Sequence, residues 1–259
     1  MLPTYDELAG MIDHSLLHPT LTDPELIEGC QLAARYRVAS VCVKPYFVAA
    51  AARLLAGTKV KVGTVVGFPH GSVSTEAKRT ETELACNDGA VEIDMVINVG
   101  KAIGGDWEYV KREIAAVCEA AHRHGALVKV IIENDYLTDG GAGLTGDELK
   151  RRLCEVCEQA GADWVKTSTG FGFVKQPGGG YGCKGATEAD LVLMRAACSS
   201  RVQVKAAGGV RDLDGLIKVR ELGCTRCGAS ATQAILDEYH RRAAGESSAA
   251  AGTIGQGGY

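Results

Sequence analysis

The chain has 259 residues, 46% of them apolar and 23% charged, with a formal net charge of −4. The apolar share excludes a disordered or collagen-like chain, and the length allows one large domain or two small ones. The acidic balance argues against a nucleic-acid partner, which a basic excess would accompany.

In chain order, the opening stretch MLPTYDELAGMIDHSLLHP carries acids where a secretory signal has a basic start and an apolar core. No stretch reaches the ~18–20 apolar residues of a membrane span. The expectation is a cytoplasmic protein with no membrane partner, whose ten cysteines are reduced and mostly buried. From residue 12 onward short β-branched runs alternate with longer amphipathic segments. The strand-like runs are 12–17, 38–43, 61–66, 91–98, 127–133, 164–169, 203–207 and 225–229. Between them lie helical stretches such as DPELIEGCQLAARYR, STEAKRTETELACNDG, DWEYVKREIAAVCEAAHRHG and TGDELKRRLCEVCEQAG. Ser74 with Gly89, and Thr145 with Gly161, supply caps and stops.

Strands alternating with helices imply parallel pairing and right-handed crossovers, and eight such units make a (β/α)8 TIM barrel of the α/β class. A doubly wound open sheet would place a glycine fingerprint after its first strand, and none is present. The barrel is expected to occupy 1–242 as a single domain. Cysteines 154/157 and 224/227 have C-x-x-C spacing, but the first pair lies within a helical pattern and the second brackets a short strand. No metal and no cofactor are therefore expected.

In a barrel, catalytic side chains come from the C-terminal strand ends, so polar residues inside the strand runs are the informative ones. They are Asp13, Asp94, Asn98, Lys129, Glu133, Lys166, Thr167, Ser168, Gln203 and Lys205. Lys166, in DWVKTSTGF, and Lys205, in VQVKAAGGV, stand mid-strand in consecutive strands. A lysine buried there needs a partner or a purpose. Pairing with a buried acid such as Asp94 is one reading. The other is amine catalysis, since only the neutral amine attacks a carbonyl. A second ammonium ~5 Å away, at an effective dielectric of ~20, adds roughly 3 kcal/mol of repulsion and favours that neutral form. Asp94, in VEIDMVINVG, then serves proton transfer and as counter-charge for the second lysine. Lys129 and Glu133 read as a structural buried pair, Cys42 as a small core residue, and the six histidines, His14 among them, as satisfied surface residues.

The segments IDHSLLHP, VASVCVKPYFV, VGTVVGFPHG, EIDMVINVGKAIGGDW, GADWVKTSTGF, VKAAGGVR and CGAS occur in that order over about residues 10–240. Together they resemble the deoxyribose-phosphate aldolases, class I aldolases with a (β/α)8 fold and no metal. The resemblance implies reversible cleavage of 2-deoxy-D-ribose 5-phosphate to acetaldehyde and D-glyceraldehyde 3-phosphate. It makes Lys166 the Schiff-base lysine, Lys205 the lysine that perturbs it, Asp94 the acid that relays protons through a water, and Asp13 a member of the same polar network. It also places the phosphate on Gly208 and Gly209, after the seventh strand, and on Gly228 and Ser230, after the eighth. Backbone N–H groups and a helix N-terminus favour an anion there. Two departures stand out: Phe171 where some members have a phosphate-holding lysine, and Ala231 where some have a second serine. The loop 171–185 is longer than the usual version, and Lys175 or Lys184 within it could compensate. Small-molecule sugar phosphate and acetaldehyde are the expected partners, with assembly as a homodimer or higher homo-oligomer. Rival readings are another lysine-dependent barrel aldolase and a sugar-phosphate-binding barrel without catalysis.

The last 17 residues, AAGESSAAAGTIGQGGY (243–259), are too small, polar and glycine-rich to pack, and a flexible tail is expected. Some members of the family end in a tail whose terminal tyrosine assists proton transfer, which makes Tyr259 a candidate. A flexible segment of that length spans roughly 20–25 Å, enough to reach a barrel mouth.

Overall fold

The computed structural model describes residues 2–176, 178–246 and 254. Its helices are α1 (Tyr5–Ala9), α2 (Asp23–Tyr36), α3 (Val48–Leu54), α4 (Thr75–Asn87), α5 (Val99–Ile103), α6 (Trp107–Arg123), α7 (Gly146–Gln159), α8 (Glu188–Ala197), α9 (Leu213–Glu221) and α10 (Thr232–Ala243). Its strands are β1 (Ile12–Leu16), β2 (Ser40–Val43), β3 (Lys61–Val66), β4 (Glu92–Val96), β5 (Leu127–Ile131), β6 (Trp164–Lys166), β7 (Val174–Lys175), β8 (Tyr181–Gly182), β9 (Gln203–Ala207) and β10 (Arg226–Ala229). Eight of them close in the order β1-β2-β3-β4-β5-β6-β9-β10, each parallel to its neighbours. The barrel expected from the alternating pattern is the observed architecture.

Side-chain hydrogen bonds set the helix starts. The Ser74 hydroxyl accepts the Ala77 N–H to open α4, and Thr145 forms a capping box with Glu148 to open α7. The same chemistry shortens two of the predicted strands. The 91–98 run stops at Val96 because Asn98 turns to cap α5, accepting the Lys101 N–H at 3.1 Å. The 164–169 run stops at Lys166, after which Thr167 exchanges side-chain hydrogen bonds with the Ala207 backbone.

Alternation along each strand divides the interior in two. Ile93, Met95, Val128, Val130, Val165 and Val204 point out to the helices, where Val110, Ile114 and Val117 of α6 meet them fully buried. Each such side chain contributes about 1.5–3 kcal/mol on burial, so the apolar core lies between sheet and helices. The opposite faces point into the barrel. There the register sets Asp94 beside Lys129, Lys166 beside Lys205, and Lys205 beside Arg226. The barrel lumen is thus filled with charge.

One expectation is corrected here. His14 is buried, not a surface residue; its Nδ1 lies 2.8 Å from the Thr232 hydroxyl, and burial pushes its pKa down to about 4. The long loop after β6 holds a small antiparallel hairpin, β7 with β8. All ten cysteines are free, Cys154 and Cys157 lie in α7, and no metal-binding group of His, Cys, Asp or Glu occurs among the described residues. Tyr259 and the rest of the predicted tail lie outside the described residues, apart from 243–246 and Ile254. Among the described residues no helix is long and apolar enough to cross a membrane.

Candidate active site

Asp94, fully buried on β4, is the hub of the lumen. Its Oδ1 accepts from Lys129 Nζ at 2.9 Å; its Oδ2 accepts from Lys166 Nζ at 2.9 Å and from Lys205 Nζ at 2.6 Å. Asp13 on β1 has its Oδ2 at 2.5 Å from Lys205 Nζ, and its Oδ1 accepts from Ser40 Oγ at 2.7 Å. Arg226 joins Asp13 to Glu92, donating to Asp13 Oδ1 through Nε at 2.8 Å and to Glu92 Oε2 at 2.6 Å. Lys129 also donates to Glu92 at 2.6 Å.

The structure therefore brings Lys166, Lys205, Asp94 and Asp13 together, and adds Lys129, Glu92 and Arg226. Glu92 and Arg226 were missed by sequence reasoning. The available signal was alternation: Glu92 stands two residues before Asp94 and so shares its face. The reading of Lys129 and Glu133 as a pair is corrected. Lys129 is taken by Glu92 and Asp94, while both Glu133 oxygens accept the Thr169 N–H at 3.2 Å. The picture of two lysines repelling each other directly is also modified, because a single carboxylate oxygen bridges them.

Four buried cations (Lys129, Lys166, Lys205 and Arg226) face three buried carboxylates (Asp13, Glu92 and Asp94). Burial alone would push these acids up. Instead Lys129, Lys205 and Arg226 hold Asp13, and Lys129, Lys166 and Lys205 hold Asp94, well below the usual carboxylate range. Lys129 with Arg226 lowers Glu92 in the same way, and three surrounding acids raise Lys129 against the pull of its burial. Depressed carboxyl pKa values give a definite sign: their stabilisation is complete above the unfolded-state values near pH 4 and is lost as pH falls through the native ones. Urea unfolding at pH 3 and pH 6 should differ by at least about 2 kcal/mol, the lower pH being the less stable. Equal unfolding free energies would contradict the ion network.

Above the lumen the mouth has two unlike halves. On the β9–β10 side, Gly208, Gly209, Val210, Arg211, Gly228, Ala229 and Ser230 line a small cavity of about 70 Å³. Gly208 and Gly209 have φ of +85° and +87°, and a Cβ on Gly208 would meet the Gly185 Cα at 2.9 Å, so this turn requires glycine. Arg211 adds a guanidinium that sequence reasoning left out of the site. Ser230 is not the cap of α10; Ala231 holds that position without a side-chain cap. On the β1–β3 side, Leu17, Cys42 and Val65 pack with Phe68 and Phe171, whose rings meet edge to face at 5.4 Å. Burial pushes the Cys42 thiol up to about 11, so it stays protonated.

Residues 8–231 match the model of the DeoC/LacD family aldolases. The deoxyribose-phosphate aldolase of Rhodopirellula baltica is 49% identical over 238 residues, covering 92% of this chain and 91% of that protein. That of Caldanaerobacter subterraneus is 44% identical over 92% of this chain and 96% of its own length. Among solved structures, a putative deoxyribose-phosphate aldolase from Coccidioides immitis superposes with a TM-score of 0.81 at 35% identity, covering 93% of this chain and 88% of that one. A tetrameric deoxyribose phosphate aldolase from Aeropyrum pernix gives 0.78 at 27% identity, with 92% of each chain covered.

Proposed function

The chain belongs to the DeoC/LacD family of aldolases, and from that we propose that it is a class I aldolase acting on 2-deoxy-D-ribose 5-phosphate. The observation that carries the mechanism is the shared Asp94 Oδ2, within 2.9 Å of Lys166 Nζ and 2.6 Å of Lys205 Nζ. With Lys166 neutral, three cations remain against three carboxylates, so the lumen accommodates a free amine without an unbalanced charge.

The Lys166 nitrogen adds to the C1 aldehyde of the open-chain sugar, and loss of water leaves an iminium. A water held by Asp94 and Lys205 takes the C3 hydroxyl proton while the C2–C3 electron pair moves into the iminium as an enamine. Glyceraldehyde 3-phosphate departs with C3 as its aldehyde. Protonation of the enamine at C2 and hydrolysis of the resulting iminium release acetaldehyde and restore the amine. Asp13 keeps Lys205 in place, and Tyr259 is assigned the C2 proton transfer on the family resemblance alone. The two-sided mouth suits the substrate, with phosphate on the amides of Gly208, Gly209 and Gly228 and on Ser230 and Arg211.

Borohydride reduction in the presence of substrate should add the mass of the two-carbon or five-carbon adduct to Lys166. An unmodified Lys166 peptide in turning-over enzyme would reject this function. Ser230→Ala removes a donor to a charged group, worth about 1.5–3 kcal/mol. It should raise KM for deoxyribose 5-phosphate roughly 10–100-fold and leave cleavage of unphosphorylated deoxyribose unchanged. Equal effects on both substrates would move the phosphate elsewhere. Self-association, expected from the sequence, is supported by the tetrameric Aeropyrum pernix relative and is checked by light scattering.

A further inference from the structure

Glu133 follows β5, is 1% exposed, and takes no part in the steps above. Its surroundings are unusual in three respects. First, its φ is +55°, in the left-handed region that a residue with a side chain enters at a cost. Second, it sits between two backbone N–H groups that hold the segment bearing Lys166: Ile132 donates to the Lys166 carbonyl at 3.1 Å, and Asn134 to the Thr167 carbonyl at 2.9 Å. Third, its own carboxylate makes the next rung, both oxygens accepting the Thr169 N–H at 3.2 Å. Where β6 ends as a strand, a side chain continues its ladder. The other edge of the segment is fixed by the Thr167 hydroxyl, which accepts the Ala207 N–H at 3.0 Å and donates to the Ala207 carbonyl at 3.1 Å.

The grip extends into the turn after Glu133. Asp135 accepts the Lys184 N–H at 2.6 Å and the Gly185 N–H at 3.1 Å, and the Tyr136 hydroxyl accepts the Phe173 N–H at 2.8 Å. Both ends of the long loop are thereby tied to one short turn. Burial pushes the Glu133 carboxyl up to about 7, with Asp135 raising it further and the Thr169 N–H and the Lys166 ammonium pulling it down. A buried acid with strained backbone is a costly way to satisfy one amide, and such costs persist where geometry matters for function.

We propose that Glu133 is a positioning residue for Lys166, its carboxylate holding the 166–169 segment so that the amine stays aligned with Asp94 and the incoming aldehyde. This rests on the Schiff-base role of Lys166 given above.

The test compares Glu133→Leu, Glu133→Gln and Glu133→Asp in the full chain, with kcat and KM for deoxyribose 5-phosphate, inhibition by inorganic phosphate, and borohydride trapping. Glutamine keeps an acceptor at the same reach, so its kcat should stay within about threefold of the parent. Leucine removes the acceptor and should lower kcat and trapping rate roughly 10²-fold, the cost typical of a displacement near 1 Å at a reacting group. KM and phosphate inhibition should hold, because the anion cavity is on β9 and β10. Should the leucine variant not fold, aspartate, which withdraws the carboxylate by one methylene, decides the matter with a kcat loss of about tenfold or more. A leucine or aspartate variant with parental kcat overturns the proposal, as does a glutamine variant impaired as much as leucine, or kcat and phosphate inhibition declining together. A parent enzyme that cannot be trapped at Lys166 rejects the Schiff base itself, a result distinct from trapping that is indifferent to Glu133.

Discussion

Lys166→Met should abolish aldol cleavage while leaving the barrel as stable as the parent. The loss of turnover follows from the proposed role of Lys166 as the nucleophile that forms the iminium. Removing a covalent nucleophile costs on the order of 10⁴-fold or more in kcat. The unchanged stability follows from the charge count. The parent lumen holds Lys129, Lys166, Lys205 and Arg226 against Asp13, Glu92 and Asp94, and the methionine variant leaves three against three. Asp94 keeps Lys129 on Oδ1 and Lys205 on Oδ2, and methionine fills most of the lysine volume. Steady-state cleavage and thermal unfolding measured on the same preparation check both halves. Residual activity within tenfold of the parent would remove Lys166 from the mechanism, and a fall of ten degrees in Tm would show that its ammonium is needed structurally.

Asp94→Asn should instead destabilise strongly and inactivate together. The carboxylate pairs with three buried ammonium groups at 2.9, 2.9 and 2.6 Å. An amide of the same shape keeps one acceptor oxygen in place of two, offers no charge, and turns its two N–H donors toward a cation. Breaking a buried ion cluster by removing one partner typically costs about 3–5 kcal/mol. For a chain of this length that corresponds to a Tm lower by roughly 10 °C. Differential scanning calorimetry reads the shift directly, and an asparagine variant melting with the parent would mean that the lysines are not charged together. The same variant should also fail to turn over, because the proposed proton relay loses its carboxylate. The pairing of these two substitutions separates roles that a single knockout would confuse. One removes the proposed nucleophile from a network that closes without it; the other removes the charge on which the network depends.

The sequence determined the eight-stranded barrel by itself, because alternating β-branched runs and capped amphipathic stretches have few other ways to bury their apolar faces. It also pointed to Lys166, Lys205, Asp94 and Asp13 as interior charges, since charged residues inside strand patterns are expensive and therefore informative. Which charges meet was decided only by the tertiary structure. Lys129 stands nearer in sequence to Glu133 than to Asp94, yet the parallel pairing of β4 with β5 set it in register with Asp94, and Glu133 went to the Thr169 amide. Glu92 and Arg226 are 134 residues apart and share hydrogen bonds of 2.6 and 2.9 Å because β4 and β10 face each other across the lumen. The end of β6 was likewise beyond one-dimensional reading: 164–169 is continuous in β propensity, and it stops at Lys166 because the Thr167 hydroxyl and the Glu133 carboxylate take over the hydrogen bonds. Periodicity is a local property that a sequence carries openly, whereas partner choice in a closed barrel depends on strand register and closure, which appear only once all eight strands are in place.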